Sequence, residues 1–268
     1  MAESFLLEFL LYLVTGAFVG LAAGLLGIGG GLIIVPVLAT GLTFFIDSEQ
    51  IVHIAIGTSL ATILVTSLAS AYVHHQHGAV RWDIFRMLAV GVLAGAFVGG
   101  WLSQFIASAT LANMFGILGV LIAINMLLAL KPKPTRQLPG LAGNTAAGTV
   151  IGSLSSIVGI GGGTFTTPYQ VWNNVSMHQA VATSAAVSLP VAFAGSIGYV
   201  LAGLQATDLP AYTTGYIYWP AFFGIVLASV FTAPMGAKLA HQLPVKALKR
   251  AFGVFLLLFS AKMLFFTH

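Results

Sequence analysis

The sequence predicts an all-α polytopic membrane protein made of two inverted-topology repeats, each of about five segments. Three observations carry that expectation. The first is composition: 58% of the 268 residues are hydrophobic and only 6% are charged, whereas a soluble domain needs about a quarter charged residues to cover its surface. The second is the length of the apolar runs, near 5–27, 51–73, 84–106, 111–130, 141–160, 179–203, 216–238 and 247–266; a helix spans a bilayer with roughly 20 residues. The third is duplication. "GIGGG" occurs at 27–31 and again at 159–163, closed each time by a proline, Pro36 or Pro168. "HIAIGTSLAT" at 53–62 lines up with "HQAVATSAAV" at 178–187, and "GGWLSQFIASATLANMFG" at 99–116 with "GAKLAHQLPVKALKRAFG" at 236–253.

Each run earns its place for a reason. The first, 5–27, has Glu3 and Glu8 where a signal peptide has basic residues, and it is long enough to span, so it reads as a mature helix. Two shorter apolar runs, 31–45 and 164–172, directly follow the glycine clusters. They are too short to cross upright and read as tilted, partial or re-entrant helices. Gly91, Gly95 and Gly99 in the run 84–106 are four apart, the spacing of small residues that let two membrane helices pack closely. "KPKPTRQLPG", 131–140, is the linker; it divides the chain into a first repeat, 1–130, and a second, 141–268. Tyr169 and Trp172 in "PYQVWNN" suit an interfacial aromatic belt.

Basic residues favour the cytoplasmic side of a membrane. One alternating topology puts Arg81, Arg86, Lys131, Lys133, Arg136, Lys238, Lys246, Lys249 and Arg250 inside and leaves Lys262 near the outer end. In it the linker is cytoplasmic, both termini are outside the plasma (inner) membrane, and an odd number of segments per half inverts the second repeat. Glu3, Glu8, Asp47, Glu49 and Asp208 fall outside. Inverted repeats are a recurring transporter architecture, with broken helices meeting near the midplane.

The glycine clusters are the central chemical signal. Irregular backbone survives in a bilayer only where protein or a watery cavity covers it. A glycine-rich break followed by a short helix leaves N–H groups, backed by the positive end of the helix dipole, facing outward from the break. Glycine also permits the close approach and the φ > 0 angles of an anion-holding nest. Gly29, Gly30 and Gly31, with Gly161, Gly162, Gly163 and Thr164, are therefore candidate ligands of one shared anion site. Thr58, Ser59, Thr183 and Ser184 follow His53 and His178 by five and six residues, on nearly the same helix side, and could complete the shell. The second short segment is the more polar, with Thr164, Thr166 and Thr167 against Leu32, Ile33 and Ile34, which places the ligand nearer Gly161–Thr164.

Other chemistries are poorly supported. With no cysteine there is no disulfide framework or thiolate metal site. "GIGGG" has no following GK[ST], so a nucleotide loop is not expected. No cofactor and no nucleic-acid partner is implied. "YVHHQHG" holds His74, His75 and His77 near only one carboxylate, Asp83, and is not duplicated, a weak basis for a metal. An intramembrane metal enzyme built on that cluster, and an anion channel, are the rival readings. No Asp, Glu, Lys or Arg is expected deep within a span, so a proton-coupled mechanism would have to use His53 or His178 as candidate carriers, or the substrate itself.

From about Leu11 to Phe265 the sequence resembles the TauE/SafE family of sulfite and organosulfonate exporters. The resemblance rests on "GLLGIGGGLIIVPVL", "HIAIGTSLAT", "GIGGGTFTTP", "HQAVATSAAV", "GSIGYV" and "PMGAKLAHQLPVKALKRAFGVFLLL" together. It implies a plasma-membrane transporter, not an enzyme, whose partners are the lipid bilayer and a small inorganic or organosulfonate anion such as sulfite or sulfoacetate, with protons a candidate coupling ion.

Overall fold

The computed structural model describes residues 2–26, 30–128, 136–240 and 245–265. The first half holds α1 (Ala2–Leu26), α2 (Gly31–Gly41), α3 (Ile51–Gln76), α4 (Trp82–Leu102) and α5 (Ser108–Leu128). The second holds α6 (Leu141–Val158), α7 (Gly163–Trp172), α8 (Met177–Gly203), α9 (Trp219–Ala240) and α10 (Val245–Phe265). Among the described residues five helices are long and apolar enough to cross a membrane: α3, α4 extended to Phe105, α5, α6 and α8. Shorter apolar helical stretches, Leu7–Ala23 and Trp219–Ala233, lie within α1 and α9. A short antiparallel ribbon, β1 (Thr213–Thr214) and β2 (Ile217–Tyr218), interrupts the all-helical pattern just before α9.

Helices α3 and α8 form the centre and run antiparallel. Ala71 near the end of α3 packs with Ala182 and Ala186 near the start of α8, while at the other end His53 stacks on Tyr216, which also meets Tyr199 of α8 edge-on. The short helix α2 lies on α3, and α7 on α8. The remaining pairs exchange partners between halves: α1 packs on α9, α4 on α6, and α5 on α10.

Glycine sets the closeness of these pairs. A Cβ at Gly91, Gly95 or Gly99 of α4 would strike the backbone of Thr145, Thr149 or Ser153 in α6, and one at Gly148 or Gly152 of α6 would strike Leu88 or Val92 in α4. The spacing of the α4 glycines is thus a packing seam, as read from the sequence. The α1–α9 pair repeats the device: Gly16 and Gly20 meet Ile225 and Ser229, and Gly236 meets Leu21.

Candidate functional site

Between α6 and α7 the chain breaks at the second glycine cluster. Gly159 ends α6 in the left-handed conformation, φ +74°, with its N–H turned back to the Ser155 and Ser156 carbonyls. A side chain there would be strained by its backbone and would also press on Ile56 and Val35. The break is tied to the other half: Ser59 Oγ on α3 donates to the Gly159 carbonyl at 2.9 Å. Gly31, the first residue of α2, lies so close that a Cβ would come within 2.5 Å of that same carbonyl oxygen and 3.0 Å of the Ile160 Cα. The start of α2 and the end of α6 therefore meet in the interior. Gly30, Gly31, Gly161, Gly162 and Gly163 are all buried; Gly29 lies outside the described residues.

The second half lines this region with polar atoms that the first half does not have. Ser188 Oγ on α8 accepts the Gly163 N–H at 3.1 Å and donates to the Ser184 carbonyl at 3.0 Å. Gln170 Nε2 donates to Ser184 Oγ at 3.3 Å. Thr166 and Gln170, one turn apart on α7, are 0% exposed, yet Thr166 Oγ1 and Gln170 Oε1 have no partner among the described residues. Neither do Thr164 Oγ1, Ser155 Oγ and Ser156 Oγ. The repeat counterparts of Thr166, Gln170 and Ser188 are Ile34, Leu38 and Ile63. A buried polar group left without a hydrogen bond costs about 1–3 kcal/mol, so a cluster of them in one half asks for a ligand or for water. Sequence reasoning noticed Thr164 and Thr166 but not Ser155, Ser156, Gln170 or Ser188. The signal was present: polar residues four apart at 166 and 170, and at 184 and 188, inside apolar runs.

The paired threonines do something else. Thr58 Oγ1 accepts the Tyr218 N–H at 3.0 Å, and Thr183 Oγ1 accepts the Arg81 N–H at 2.9 Å. Tyr218 and Arg81 each precede the tryptophan that begins α9 or α4. Both hydroxyls thus latch the start of a helix and occupy equivalent positions in the two halves.

The two histidines part company. His53 is 2% exposed; its Nε2 lies 3.0 Å from the Ser103 carbonyl and its Nδ1 3.0 Å from Ser108 Oγ, which donates to the Glu49 carbonyl. His178 is exposed. Beside His53, a cavity of about 310 Å³ is lined by Glu49, Gln50, Gln104, Gln205, Asp208 and Tyr216. At the opposite end of α3, His75 accepts from the Trp82 indole N–H at 3.3 Å and His77 Nδ1 lies 2.8 Å from the Val73 carbonyl. Among the described residues no three His, Cys, Asp or Glu side chains stand together as a metal cage.

Glu8 is buried, 9% exposed, and its Oε1 accepts hydrogen bonds from Tyr12 Oη and, at 2.8 Å, from Tyr218 Oη. Tyr218 is 210 residues distant in sequence, which is why the run 5–27 alone gave no hint of it.

Comparison with known proteins finds chains of similar sequence. A family profile described as "Sulfite exporter TauE/SafE" matches residues 12–263. A probable membrane transporter protein of Haemophilus influenzae is 36% identical over 95% of this chain and 97% of its own length. Another, YdhB of Bacillus subtilis, is 30% identical over 87% of this chain and 90% of its own. One from Methanocaldococcus jannaschii is 29% identical over 91% of each.

Proposed function

This chain belongs to the sulfite exporter TauE/SafE family, a membrane transporter family and not an enzyme family, and on that premise we propose that it exports a small sulfur-containing anion, sulfite, sulfoacetate or a related organosulfonate. The observation that carries the reading is the set of buried, unpartnered polar atoms on α7 beside the break at Gly161–Gly163. Thr164 and Thr166 supply hydroxyl donors and Ser155 supplies another from the last turn of α6. Gln170 supplies an amide that, rotated by half a turn, accepts from Ser184 and presents its NH₂ to the ligand; which way an amide points is assigned from its hydrogen bonds. The glycines let the anion approach the backbone at the start of α7, where the helix dipole favours negative charge. Gly30, Gly31 and Ser59 close the site from the first half, and Thr58 and Thr183 hold its frame.

The exchange of partners between halves supports an inverted duplication, repeats 1–130 and 141–268, in which α1 with α9 corresponds to α6 with α4. In that arrangement alternating access is a movement of one half's gate against the other around a fixed site. Arg136 lies over the Trp172 ring at 4.5 Å, and its N–H donates to the Trp172 carbonyl, so the end of the linker and the end of α7 lie together; with the basic linker on the cytoplasmic side, the cavity beside Glu49 and Asp208 opens outward. Among the described residues the site holds no Lys or Arg, so the bound anion keeps its charge there. The membrane potential then drives export with about 2.3 kcal/mol per charge per 100 mV.

The test is sulfite efflux from proteoliposomes of the full chain under an imposed potential. Saturable, potential-driven efflux is expected. Flux that rises linearly without saturation would make the protein a channel, and no flux of sulfite or of a sulfonate would overturn the reading.

A further inference from the structure

Glu8 sits on the first helix of a chain whose transport site holds no charge, and the mechanism above does not use it. A carboxylate buried away from water is costly unless its charge is met by hydrogen bonds. Its surroundings are specific. Two phenol hydroxyls, Tyr12 and Tyr218, converge on one carboxyl oxygen, and their rings meet edge-on with centroids 6.3 Å apart. No cation is ion-paired with Glu8 among the described residues. The elements packed around it bring few other ionisable groups: none from α2, only His53 from this end of α3, already committed to Ser103 and Ser108, and the exposed Lys262 from α10. Tyr212, before the ribbon, is the further phenol whose field reaches Tyr218.

Tyr218 connects this carboxyl to the anion site. Its side chain bonds Glu8 while its backbone N–H bonds Thr58 Oγ1, and the next residue, Ser59, holds the Gly159 carbonyl at the break. Three hydrogen bonds thus run from α1 through the start of α9 and α3 to the glycine break between α6 and α7. We propose that Glu8 is a proton-binding site and that the proton it takes up is the coupling ion for anion movement through the site at Gly161–Thr166; the coupling, though not the proton site itself, rests on the transport reading above. The step is a simple protonation: one proton joins the carboxylate, and no other bond forms or breaks. As a carboxylate, Glu8 holds both hydroxyls through charge-assisted bonds, which are roughly twice as strong as neutral ones. Protonated, it keeps only neutral bonds, and the latch on the start of α9 loosens. Proton binding therefore biases the gate formed by the first half and α9.

Two measurements on the full-length protein in lipid test this. The first is infrared difference spectroscopy between acid and neutral pH, comparing wild type with Glu8→Gln and with Asp83→Asn, which removes an exposed carboxylate on the opposite face. A carboxyl band that titrates in wild type and in Asp83→Asn but is missing in Glu8→Gln is expected. An unchanged difference spectrum in Glu8→Gln overturns the proton site. Tyr218→Phe keeps the carboxyl and removes one of its bonds, so the band should shift; a band that stays in place overturns the latch even if Glu8→Gln does not fold. The second is sulfite flux with potential and pH gradient imposed separately. A gradient of about one pH unit, worth about tenfold in rate at most, should change wild-type flux severalfold and leave Glu8→Gln flux unmoved while its response to potential persists. Equal responses in both proteins overturn the coupling and leave the transporter intact. Absent sulfite flux in wild type would overturn the transport reading and with it the coupling, while the infrared titration would still decide the proton site.

Discussion

Replacing Thr166 by Val separates a ligand hydroxyl from a structural one. The two side chains have nearly the same shape, so the change deletes one buried oxygen that has no partner and creates no cavity. A buried hydroxyl without a hydrogen bond costs about 1–3 kcal/mol. The empty protein should therefore be stabilised, or at worst unchanged, by Thr166→Val. Binding moves the other way: a hydrogen bond to a charged group is worth about 1.5–3 kcal/mol, and at 1.4 kcal/mol per decade the concentration giving half-maximal sulfite flux should rise about 10- to 150-fold. The assay is paired: a thermal melt of the purified protein without anion, and saturation of flux in proteoliposomes. A variant that melts several degrees lower and transports with unchanged half-saturation would refute the reasoning, because it would show that Thr166 is bonded within the protein and does not touch the substrate.

Other substitutions probe the frame. Gly95→Val puts a side chain into the Thr149 backbone at the α4–α6 seam and should prevent recovery of folded protein, read by size-exclusion yield. Gly159→Ala places a Cβ at φ +74° against Ile56 and Val35, a loss of about 1–2 kcal/mol from the backbone alone, visible as a lower melting temperature. Gly162→Val meets only the Val191 side chain at 3.0 Å and atoms of α8 further off; it should fold yet lose transport more completely than Ser103→Val, and equal flux in the two would count against the glycine cradle. Thr58→Val and Thr183→Val each remove a latch on a helix start, and each should cost about 0.5–2 kcal/mol by thermal melt; a large effect at one position and none at the other would break their equivalence.

Much of this was legible because it is local. The glycines of α4 announce their packing by spacing, and the breaks before α2 and α7 announce themselves by four glycines in five residues. The polarity of the second half is visible in Thr164 and Thr166 against Leu32 and Ile34. What was illegible depends on partners distant in sequence. The hydroxyls of Thr58 and Thr183 are claimed by N–H groups from Tyr218 and Arg81, which no periodicity connects to them. The burial of Glu8 was hidden because the second tyrosine that bonds it belongs to a ribbon 210 residues away. The ribbon itself was hidden because two-residue strands carry no alternation to detect; its sharp turn, with Gly215 at φ +54°, is its only mark.

The exchange of partners between halves has a consequence for synthesis. Helix α1 leaves the ribosome first, but the helix it packs on, α9, begins at Trp219. At about 5–20 residues per second the interval is roughly 10–40 s. Throughout it the bare backbone at Gly16 and Gly20 and the Glu8 carboxyl face lipid or an insertion factor and not their final neighbours. The middle of the protein, α4 with α6, can close while the outer pair waits. The α1–α9 pair is the last part to form, and a nascent chain halted before Tyr218 would present to membrane quality control a buried-type carboxyl bonded only to Tyr12.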